Sequence, residues 1–334
     1  MSPAAVALVA AAGALLILVA AAACIRRSLP RLFASKLNGA FDNASLRKPE
    51  NYREYEEKVT RIPDLTYPSD APNNKFDLYL PAAKDQSHPL PVFLWIHGGG
   101  FVAGVKEGTQ ILMTMVCARG YAGISVDYAL APEHKFPSAL RQIDQAVSHI
   151  RELAKQYPEI DPDRLFLGGD SAGGHYCAQY ALALSDKKYA GELGLKAEGR
   201  AAVRGIVLCS APLDISSMLP PASFRLRLLS AVFFDGYYGF SRKKRKRGKA
   251  LSRLIDFVTP DFPPALLTDG NTMSFEAHNR DFGQRLREKG VPVRELYFGK
   301  EEWGTVNHDY LFELDTPAAQ KGYETLMCFL ETCR

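Results

Sequence analysis

The fold of this chain is decided by the stretch Leu165-Phe166-Leu167-Gly168-Gly169-Asp170-Ser171-Ala172-Gly173. An apolar run typical of a buried strand leads into the pattern G-x-S-x-G, and residues 172–184 have the composition of a helix. Ser171 is therefore predicted on a sharp strand-to-helix turn, which the two glycines permit and which lifts the hydroxyl clear of the backbone. The N-terminus of the helix would favour negative charge developing there. The pattern predicts that Ser171 is a nucleophile; the alternative is a glycine-rich helix start with an ordinary serine.

Strands and helices alternate along the rest of the chain, which predicts an α/β fold with a doubly wound, mostly parallel sheet. The predicted strands are, in chain order, Phe76–Leu80, Pro91–Ile96, Tyr121–Val126, Arg164–Leu167, Val203–Cys209, Ala265–Thr268 and Val293–Phe298. The first alternates apolar and polar residues like an edge strand, whereas the next three are near-continuous apolar runs typical of strands buried on both faces. Apolar residues with helical spacing predict buried helix faces at Leu140, Ile143, Val147 and Ile150, at Phe275, Phe282 and Leu286, and at Tyr323, Leu326, Met327 and Leu330.

The N-terminus predicts a membrane anchor. Residues 3–25 carry no charge, are rich in Ala, Leu and Val, and precede Arg26 and Arg27. Because about 20 apolar residues cross a bilayer core as a helix, residues 1–25 are predicted to form a single transmembrane helix. A cleaved signal peptide is the alternative, although no Lys or Arg precedes the apolar run as it does in signal peptides. The basic residues that follow the span favour a catalytic domain on the cytoplasmic side of the membrane.

The remainder divides into a linker with lead-in helices at residues 26–60 and a catalytic domain at residues 61–334. Residues 212–264 are too long for a plain crossover between strands and are predicted to form a lid-like insertion above the strand ends. Within it, Arg242–Lys249 has seven Lys or Arg residues in eight. This basic run is either a solvated loop or a surface attracted to anionic lipid, at about 1 kcal/mol per basic residue. The net charge of +4 does not suggest nucleic-acid binding.

A glycine motif, His97-Gly98-Gly99-Gly100-Phe101, follows the apolar strand Pro91–Ile96 directly. A tetrahedral intermediate needs backbone N–H donors about 3 Å from its oxyanion, and glycines allow that close approach. The alternative is a flexible turn, but the position at the end of a buried strand and upstream of Ser171 argues against it. His97 itself is expected to be structural, because the chain order of this kind of site places the catalytic histidine last.

The general base is predicted at His308, in Val306-Asn307-His308-Asp309-Tyr310. It lies between the last predicted strand and the final helix, where the third member of a Ser…Asp/Glu…His order belongs. His308 would take the proton of Ser171 and then give it to the leaving alcohol. The alternative is an ordinary surface-loop histidine; His278 and His134 fit the role less well.

Three motifs together resemble the hormone-sensitive-lipase-type esterases of the α/β-hydrolase fold, over about residues 60–333. They are His97-Gly98-Gly99-Gly100, Asp127-Tyr128-Ala129-Leu130-Ala131-Pro132-Glu133-His134-Lys135-Phe136-Pro137 and Gly169-Asp170-Ser171-Ala172-Gly173-Gly174. The resemblance implies hydrolysis of carboxylic esters with small to medium acyl chains. It also implies that Gly99, Gly100 and Ala172 supply the oxyanion N–H groups. The stretch Asp127–Pro137 would support the site without taking part in the chemistry.

The triad acid departs from the pattern of these esterases, which carry Asp two residues after the Gly that ends the preceding strand. Here that position, counted from Gly270, holds Thr272. A threonine cannot stabilise an imidazolium by charge, and losing that charge can cost about 10⁴ in rate. Asp269 at the strand end is predicted to be the acid, with Glu276 in the next helix, or no charged acid at all, as the alternatives.

The sequence therefore predicts a membrane-anchored serine hydrolase that cleaves carboxylic esters, with no metal or organic cofactor. Its expected partners are a small-molecule ester and membrane lipid, the latter through the N-terminal helix and the run Arg242–Lys249. The alternative is a non-catalytic small-molecule-binding or scaffold protein on an α/β-hydrolase fold, because the aspartate expected at Thr272 is missing. The six cysteines form neither a disulfide framework nor a CxxC metal motif.

Overall fold

Strands and helices alternate around one sheet in the computed structural model, which describes residues 24, 28–32, 35–36, 47–82, 88–198, 202–217 and 232–333. The strands are β1 (Val59–Thr66), β2 (Lys75–Pro81), β3 (Leu90–Ile96), β4 (Ala122–Val126), β5 (Ile160–Asp170), β6 (Val203–Cys209), β7 (Ala265–Asp269) and β8 (Val293–Tyr297). The α-helices are α1 (Tyr52–Glu56), α2 (Gln110–Cys117), α3 (Ser138–Gln156), α4 (Ser171–Ser185), α5 (Lys187–Leu193), α6 (Arg242–Leu251), α7 (Glu276–Glu288), α8 (Lys300–Trp303) and α9 (Pro317–Thr332). Single 3₁₀ turns lie at Lys106–Thr109, Leu254–Phe257 and Tyr310–Phe312.

The strand order across the sheet is β1-β2-β4-β3-β5-β6-β7-β8. β1 and β2 are antiparallel to their neighbours, and every pair from β4 through β8 is parallel. The predicted α/β fold with a mostly parallel sheet is confirmed. Because parallel strands end at the same side of a sheet, the loops after β3, β5, β6, β7 and β8 all leave from one edge. We call this side the carboxyl edge.

The prediction of an edge strand at Phe76–Leu80 is wrong, because β2 lies between β1 and β4. The alternating pattern arises from Asp77, which is polar but fully buried. Arg61 Nη2 and Lys106 Nζ lie 2.6 Å and 3.1 Å from its carboxylate oxygens, so the charge is paired inside the protein. The edge strand on this side of the sheet is β1. It begins at Val59, within the segment predicted as a linker and lead-in.

The core covers both faces of the sheet, as a doubly wound fold requires. Alternate residues of β3 point to opposite faces: Leu94 packs in one cluster with α3 and α4, and Trp95 packs in the other with α2 and α9. The predicted apolar faces of α3 and α9 are buried. α9 begins at Pro317, because the Thr316 hydroxyl accepts a hydrogen bond from the Ala319 N–H at 3.3 Å.

The predicted anchor at residues 1–25 lies outside the described residues except for Cys24. Among the described residues, no helix is both long and apolar enough to cross a bilayer. Of the predicted insertion, residues 218–231 are likewise outside the description. The rest contains a helix at residues 232–238, here called the cap helix, and α6, which holds the basic run. The Ser241 hydroxyl caps α6 by accepting from the Lys244 N–H at 3.5 Å.

Candidate active site

The turn between β5 and α4 holds Ser171 in a left-handed conformation, with φ of +48°. The turn is tight enough to exclude side chains at both flanking glycines. A Cβ on Gly169 would lie 2.5 Å from the carbonyl carbon of Gly173, and a Cβ on Gly173 would lie 2.0 Å from the Ile96 carbonyl oxygen. The predicted strand, turn and helix are thus present, and the hydroxyl of the partly exposed Ser171 stands at the carboxyl edge.

His308 lies against this serine, with its Nε2 2.9 Å from Ser171 Oγ. It is carried by the loop between β8 and α9, which returns to the carboxyl edge. The Phe275 ring packs edge-on against the imidazole, with ring centres 5.6 Å apart. Burial lowers the pKa of His308, while the charges of Asp269 and Asp170 act to raise it. The structure therefore brings the predicted nucleophile and the predicted base into hydrogen-bond contact.

The glycine loop after β3 lies beside the turn that carries Ser171. Gly99 and Gly100 have φ of +116° and +60°, and a Cβ on Gly99 would lie 2.0 Å from the Ala103 carbonyl oxygen. In the part of the chain that the structure describes, neither the Gly99 N–H nor the Gly100 N–H donates a hydrogen bond. Ala172 is the second residue of α4 and lies in its first turn, whose N–H groups have no partner within the helix. The loop and the helix start thus offer free donors beside Ser171.

Asp170 joins the glycine loop to the serine turn. Its Oδ2 accepts from the Gly98 N–H at 2.9 Å, and its Oδ1 accepts from Trp95 Nε1 at 2.8 Å. Burial raises the pKa of Asp170 to about 8, against the lowering effect of these two donors. The sequence analysis did not single out this residue. The signal that could have found it is an acidic residue at the variable position directly before the serine.

The stretch Asp127–Pro137 supports the glycine loop, as the resemblance implies. The Tyr128 hydroxyl donates to the His97 carbonyl at 2.7 Å, and the two rings stack with centres 4.3 Å apart. The Ala131 N–H donates to the Phe101 carbonyl at 3.0 Å. Burial lowers the pKa of His97 to about 4, so its imidazole is neutral. His97 is packed beneath the loop, in the structural position expected for it.

Asp269 ends β7 and is fully buried beside this site. Its Oδ2 accepts from Ser274 Oγ at 3.0 Å and from the Phe275 N–H at 2.6 Å. Its Oδ1 is buried without a hydrogen-bond partner in the described structure, and the same holds for His308 Nδ1. Burial raises the pKa of Asp269, whereas the Ser210 hydroxyl and the charge of His308 lower it. Asp269 and His308 therefore interact electrostatically without a hydrogen bond.

The other candidates for the acid are engaged elsewhere. Glu276 pairs with Arg280 in the next turn of α7, at 2.6 Å from Nε. Thr272, at the position where related esterases carry aspartate, donates its hydroxyl to the Val306 carbonyl at 2.8 Å. That bond fixes the loop leading to His308. The structure thus places neither side chain in hydrogen-bond contact with the imidazole.

The carboxyl of Asp309, which is not among the predicted site residues, lies next to His308. Asp309 has φ of +57° and its Oδ2 is 3.4 Å from His308 Nε2. Its N–H donates to Ser210 Oγ at 3.1 Å. Burial, reinforced by the charge of Asp269, raises the pKa of Asp309 well above its usual range. The only sequence signal is an aspartate directly after the predicted base.

A sheet of this order, a serine on the β5–α4 turn and a histidine after the last strand define an α/β-hydrolase of the carboxylesterase type. A family model described as BD-FAE matches residues 76–275, which is more than half of the chain, and the chain belongs to this family. The α/β-hydrolase carboxylesterase class that the motif resemblance implies is confirmed.

Solved structures agree on the fold. Esterase B from Lactobacillus rhamnosis HN001 superposes with a TM-score of 0.72 at 19% identity, covering 98% of this chain and 95% of that one. One of two fungal esterases from Rhizomucor miehei gives a TM-score of 0.65 at 24% identity, covering 90% and 96%.

Curated relatives match over shorter stretches. An esterase of Gibberella moniliformis is 29% identical over 212 residues, which are 61% of this chain and 63% of the relative. A probable isoprenylcysteine alpha-carbonyl methylesterase of Oryza sativa subsp. japonica is 30% identical over 123 residues, 37% and 29% of the two chains. The chain therefore spans less than two thirds of the length of these relatives.

The link through Asp170 predicts a loss of stability on replacing it with an amide. In Asp170→Asn, one acceptor oxygen remains for two N–H donors, so the Gly98 or the Trp95 donor is left buried without a partner. Near the ordinary pKa of an aspartate, at about pH 4, the raised pKa of Asp170 changes the free energy of unfolding little. At this pH we expect the free energy of unfolding, measured by urea titration with circular dichroism, to fall by about 1–3 kcal/mol. Asp163→Asn, at a carboxylate paired with Arg151 on the surface, is the control and should change it little. Equal stability of the two variants would contradict the role given to Asp170.

Proposed function

We propose that this protein hydrolyses carboxylic esters through an acyl-enzyme on Ser171. The observation that carries the proposal is the 2.9 Å contact between Ser171 Oγ and His308 Nε2 on a strained strand-to-helix turn. His308 takes the hydroxyl proton as Ser171 attacks the ester carbonyl, and returns it to the leaving alcohol. A water molecule, deprotonated by the same imidazole, then releases the acid and regenerates the serine.

The oxyanion of both tetrahedral intermediates is stabilised by the N–H groups of Gly99, Gly100 and Ala172. The unengaged N–H groups of Gly99 and Gly100 support this assignment. Such a donor is worth about 3 kcal/mol in the transition state when it is aimed at the developing charge in advance. The bonds from Asp170 and Tyr128 to the glycine loop supply that pre-orientation.

Asp269 is the acid of this proposed triad. Its charge is the largest influence that raises the pKa of His308. Its Oδ2 is held by Ser274 and Phe275, which leaves Oδ1 for the imidazole. Asp269 Oδ1 and His308 Nδ1 are both buried without another partner in the described structure, and we assign a hydrogen bond between them to the reacting complex. The separation in the free enzyme is no obstacle, because catalytic hydrogen bonds in free enzymes are often longer than in the reacting complex.

We also propose that residues 1–25 anchor the enzyme to a membrane, with the catalytic domain on the cytoplasmic side, and that α6 contacts anionic lipid. The support is the uncharged run of residues 3–25 and the exposed cations of the basic helix.

After extraction of membranes with alkaline carbonate, the full chain should remain in the membrane pellet. Its release into the supernatant would contradict the anchor.

The rival function is ligand binding without catalysis, suggested by the missing aspartate at position 272. The contact between Ser171 and His308 argues against ligand binding alone, since a binding site has no need of a nucleophile held against a base. A fluorophosphonate probe, which reacts with activated serines, distinguishes the two functions.

We expect the folded wild-type chain to be labelled covalently by a fluorophosphonate, and Ser171→Ala to remain unlabelled. His308→Ala should label at least about 10³-fold more slowly, because the hydroxyl loses its general base. Ser148→Ala is the matched control, as this serine is exposed on α3 and has no part in the proposed reaction. Labelling that persists in Ser171→Ala, or is absent from the wild-type protein, would refute the proposed hydrolase.

The pH dependence of hydrolysis tests the acid. Only neutral His308 can act as a base, so kcat/KM for a soluble ester should rise with pH and level off with an apparent pKa below 6.5. Asp269→Asn removes a charge that raises this pKa, so the rise should move to still lower pH. The plateau should fall by as much as about 10⁴. Glu276→Gln is the control and should leave both quantities unchanged; the reverse pattern would assign the acid to Glu276.

A further inference from the structure

The residues just after the apolar run are fixed against the cap helix. Pro30 is buried, and a Cβ on Gly236 of the cap helix would lie only 3.0 Å from the Pro30 Cβ. Arg31 Nε lies 3.0 Å from the carboxylate of Glu133, in the stretch that supports the glycine loop. The described residues that follow the apolar run in the sequence therefore pack on the insertion that follows β6.

The basic helix α6 packs on the same cap helix. Gly248 is required there, because a Cβ would lie 2.2 Å from the Tyr238 ring. Lys249 Nζ stands 3.7 Å from the centre of the Phe234 ring. These contacts turn one side of α6 inward and leave a row of cations on the other side. The exposed basic residues of α6 that take part in no ion pair among the described residues are Arg242, Lys243, Lys244 and Lys246.

Large apolar side chains are exposed near the same structures. In the described part of the chain, the exposed large hydrophobic residues are Leu32, Val105 and Met273, at 59%, 48% and 84% of their full exposure. Leu32 follows Arg31 at the cap helix. Val105 follows the glycine loop after β3, and Met273 lies in the loop after β7 that contains Ser274. Val105 and Met273 belong to the carboxyl edge, where the serine also opens, whereas Leu32 belongs to the segment packed on the cap helix. The cap helix reaches this edge through Tyr237, whose ring centre lies 4.6 Å from that of Phe101 after the glycine loop.

Basic side chains together with exposed apolar side chains bind a protein to the surface of an anionic bilayer. We infer that the carboxyl edge faces the bilayer, with α6 on anionic headgroups and Val105 and Met273 in the interface. Ser171 then receives esters that reside in the membrane, so the substrate class is an ester apolar enough to dissolve in the bilayer. This inference rests on the proposed serine hydrolase and adds the direction from which its substrate comes.

The first experiment compares two charge-reversed variants of the full chain in vesicles of phosphatidylcholine with or without phosphatidylserine. Lys243→Glu/Lys244→Glu/Lys246→Glu reverses the row on α6. The matched control, Lys155→Glu/Arg204→Glu/Lys289→Glu, makes the same charge change at the opposite edge, before β5, in β6 and before β8. Each is assayed on a long-chain fluorogenic ester dissolved in the bilayer and on a soluble acetate ester.

For the wild-type protein, phosphatidylserine should raise turnover of the bilayer ester by at least about fivefold, the effect of one basic residue near such a surface. The α6 variant should lose this increase, and the control should keep it. Both variants should hydrolyse the soluble ester at the wild-type rate. Equal turnover of the bilayer ester by both variants would overturn the inference, whereas loss of soluble-ester hydrolysis by the wild-type protein would refute the proposed hydrolase itself.

A second measurement does not depend on activity. Met273→Trp places a fluorophore on the carboxyl edge, and Lys289→Trp places one on the opposite edge. With the signal of the wild-type protein subtracted, nitroxide-labelled lipids should quench the tryptophan at position 273 and leave the one at position 289 unaffected. Quenching at both positions, or at position 289 alone, would show that a different face meets the membrane.

Discussion

The site depends on one backbone constraint, the left-handed conformation of Ser171 between β5 and α4. A non-glycine residue in this region costs on the order of 1–3 kcal/mol and persists only where its surroundings enforce it. Here the enforcement is steric, because α4 approaches β3 so closely that Gly173 meets the Ile96 carbonyl without a side chain between them. The strain aims the hydroxyl outward at the carboxyl edge. The packing of helix on sheet is therefore also the device that presents the nucleophile.

A second link turns two separate loops into one site. The glycine loop comes from β3 and the serine from β5, and these strands are neighbours in the sheet. Asp170 bridges them through the Gly98 N–H, so that a shift of one loop is transmitted to the other. The distance between Ser171 and the proposed oxyanion donors is thus set by the spacing of β3 and β5 and by the carboxyl of Asp170. The same burial raises the pKa of Asp170 and of Asp309. It lowers the pKa of His308, which favours the uncharged imidazole that can accept a proton.

Much of this could be predicted because the decisive signals are local. The buried parallel strands appear as continuous apolar runs, and the serine turn needs glycines at fixed spacing. β2 was placed wrongly at the edge because Asp77 looks solvated in the sequence, whereas Arg61 and Lys106, distant along the chain, pair with it in the interior. Asp170 and Asp309 were missed for the same reason. Their roles come from partners that only the fold brings together, and the sequence marks them only by their positions next to Ser171 and His308.

The acid is the instructive case, since the position used by related esterases holds Thr272 and the carboxylate of Asp269 stands at the strand end. Thr272 bonds to the Val306 carbonyl, and the Asn271 N–H donates to the same carbonyl at 2.8 Å, so this loop now anchors the segment before His308. The two carboxylate oxygens of Asp269 have different surroundings. Oδ2 binds the Phe275 N–H just before α7 begins and so orders the loop, while the unpartnered Oδ1 keeps the charge directed at the imidazole. A carboxylate fixed by the backbone at one oxygen cannot rotate away. The chain therefore has a way to keep a rigid charge near the base although its aspartate comes from the strand end and not from the loop.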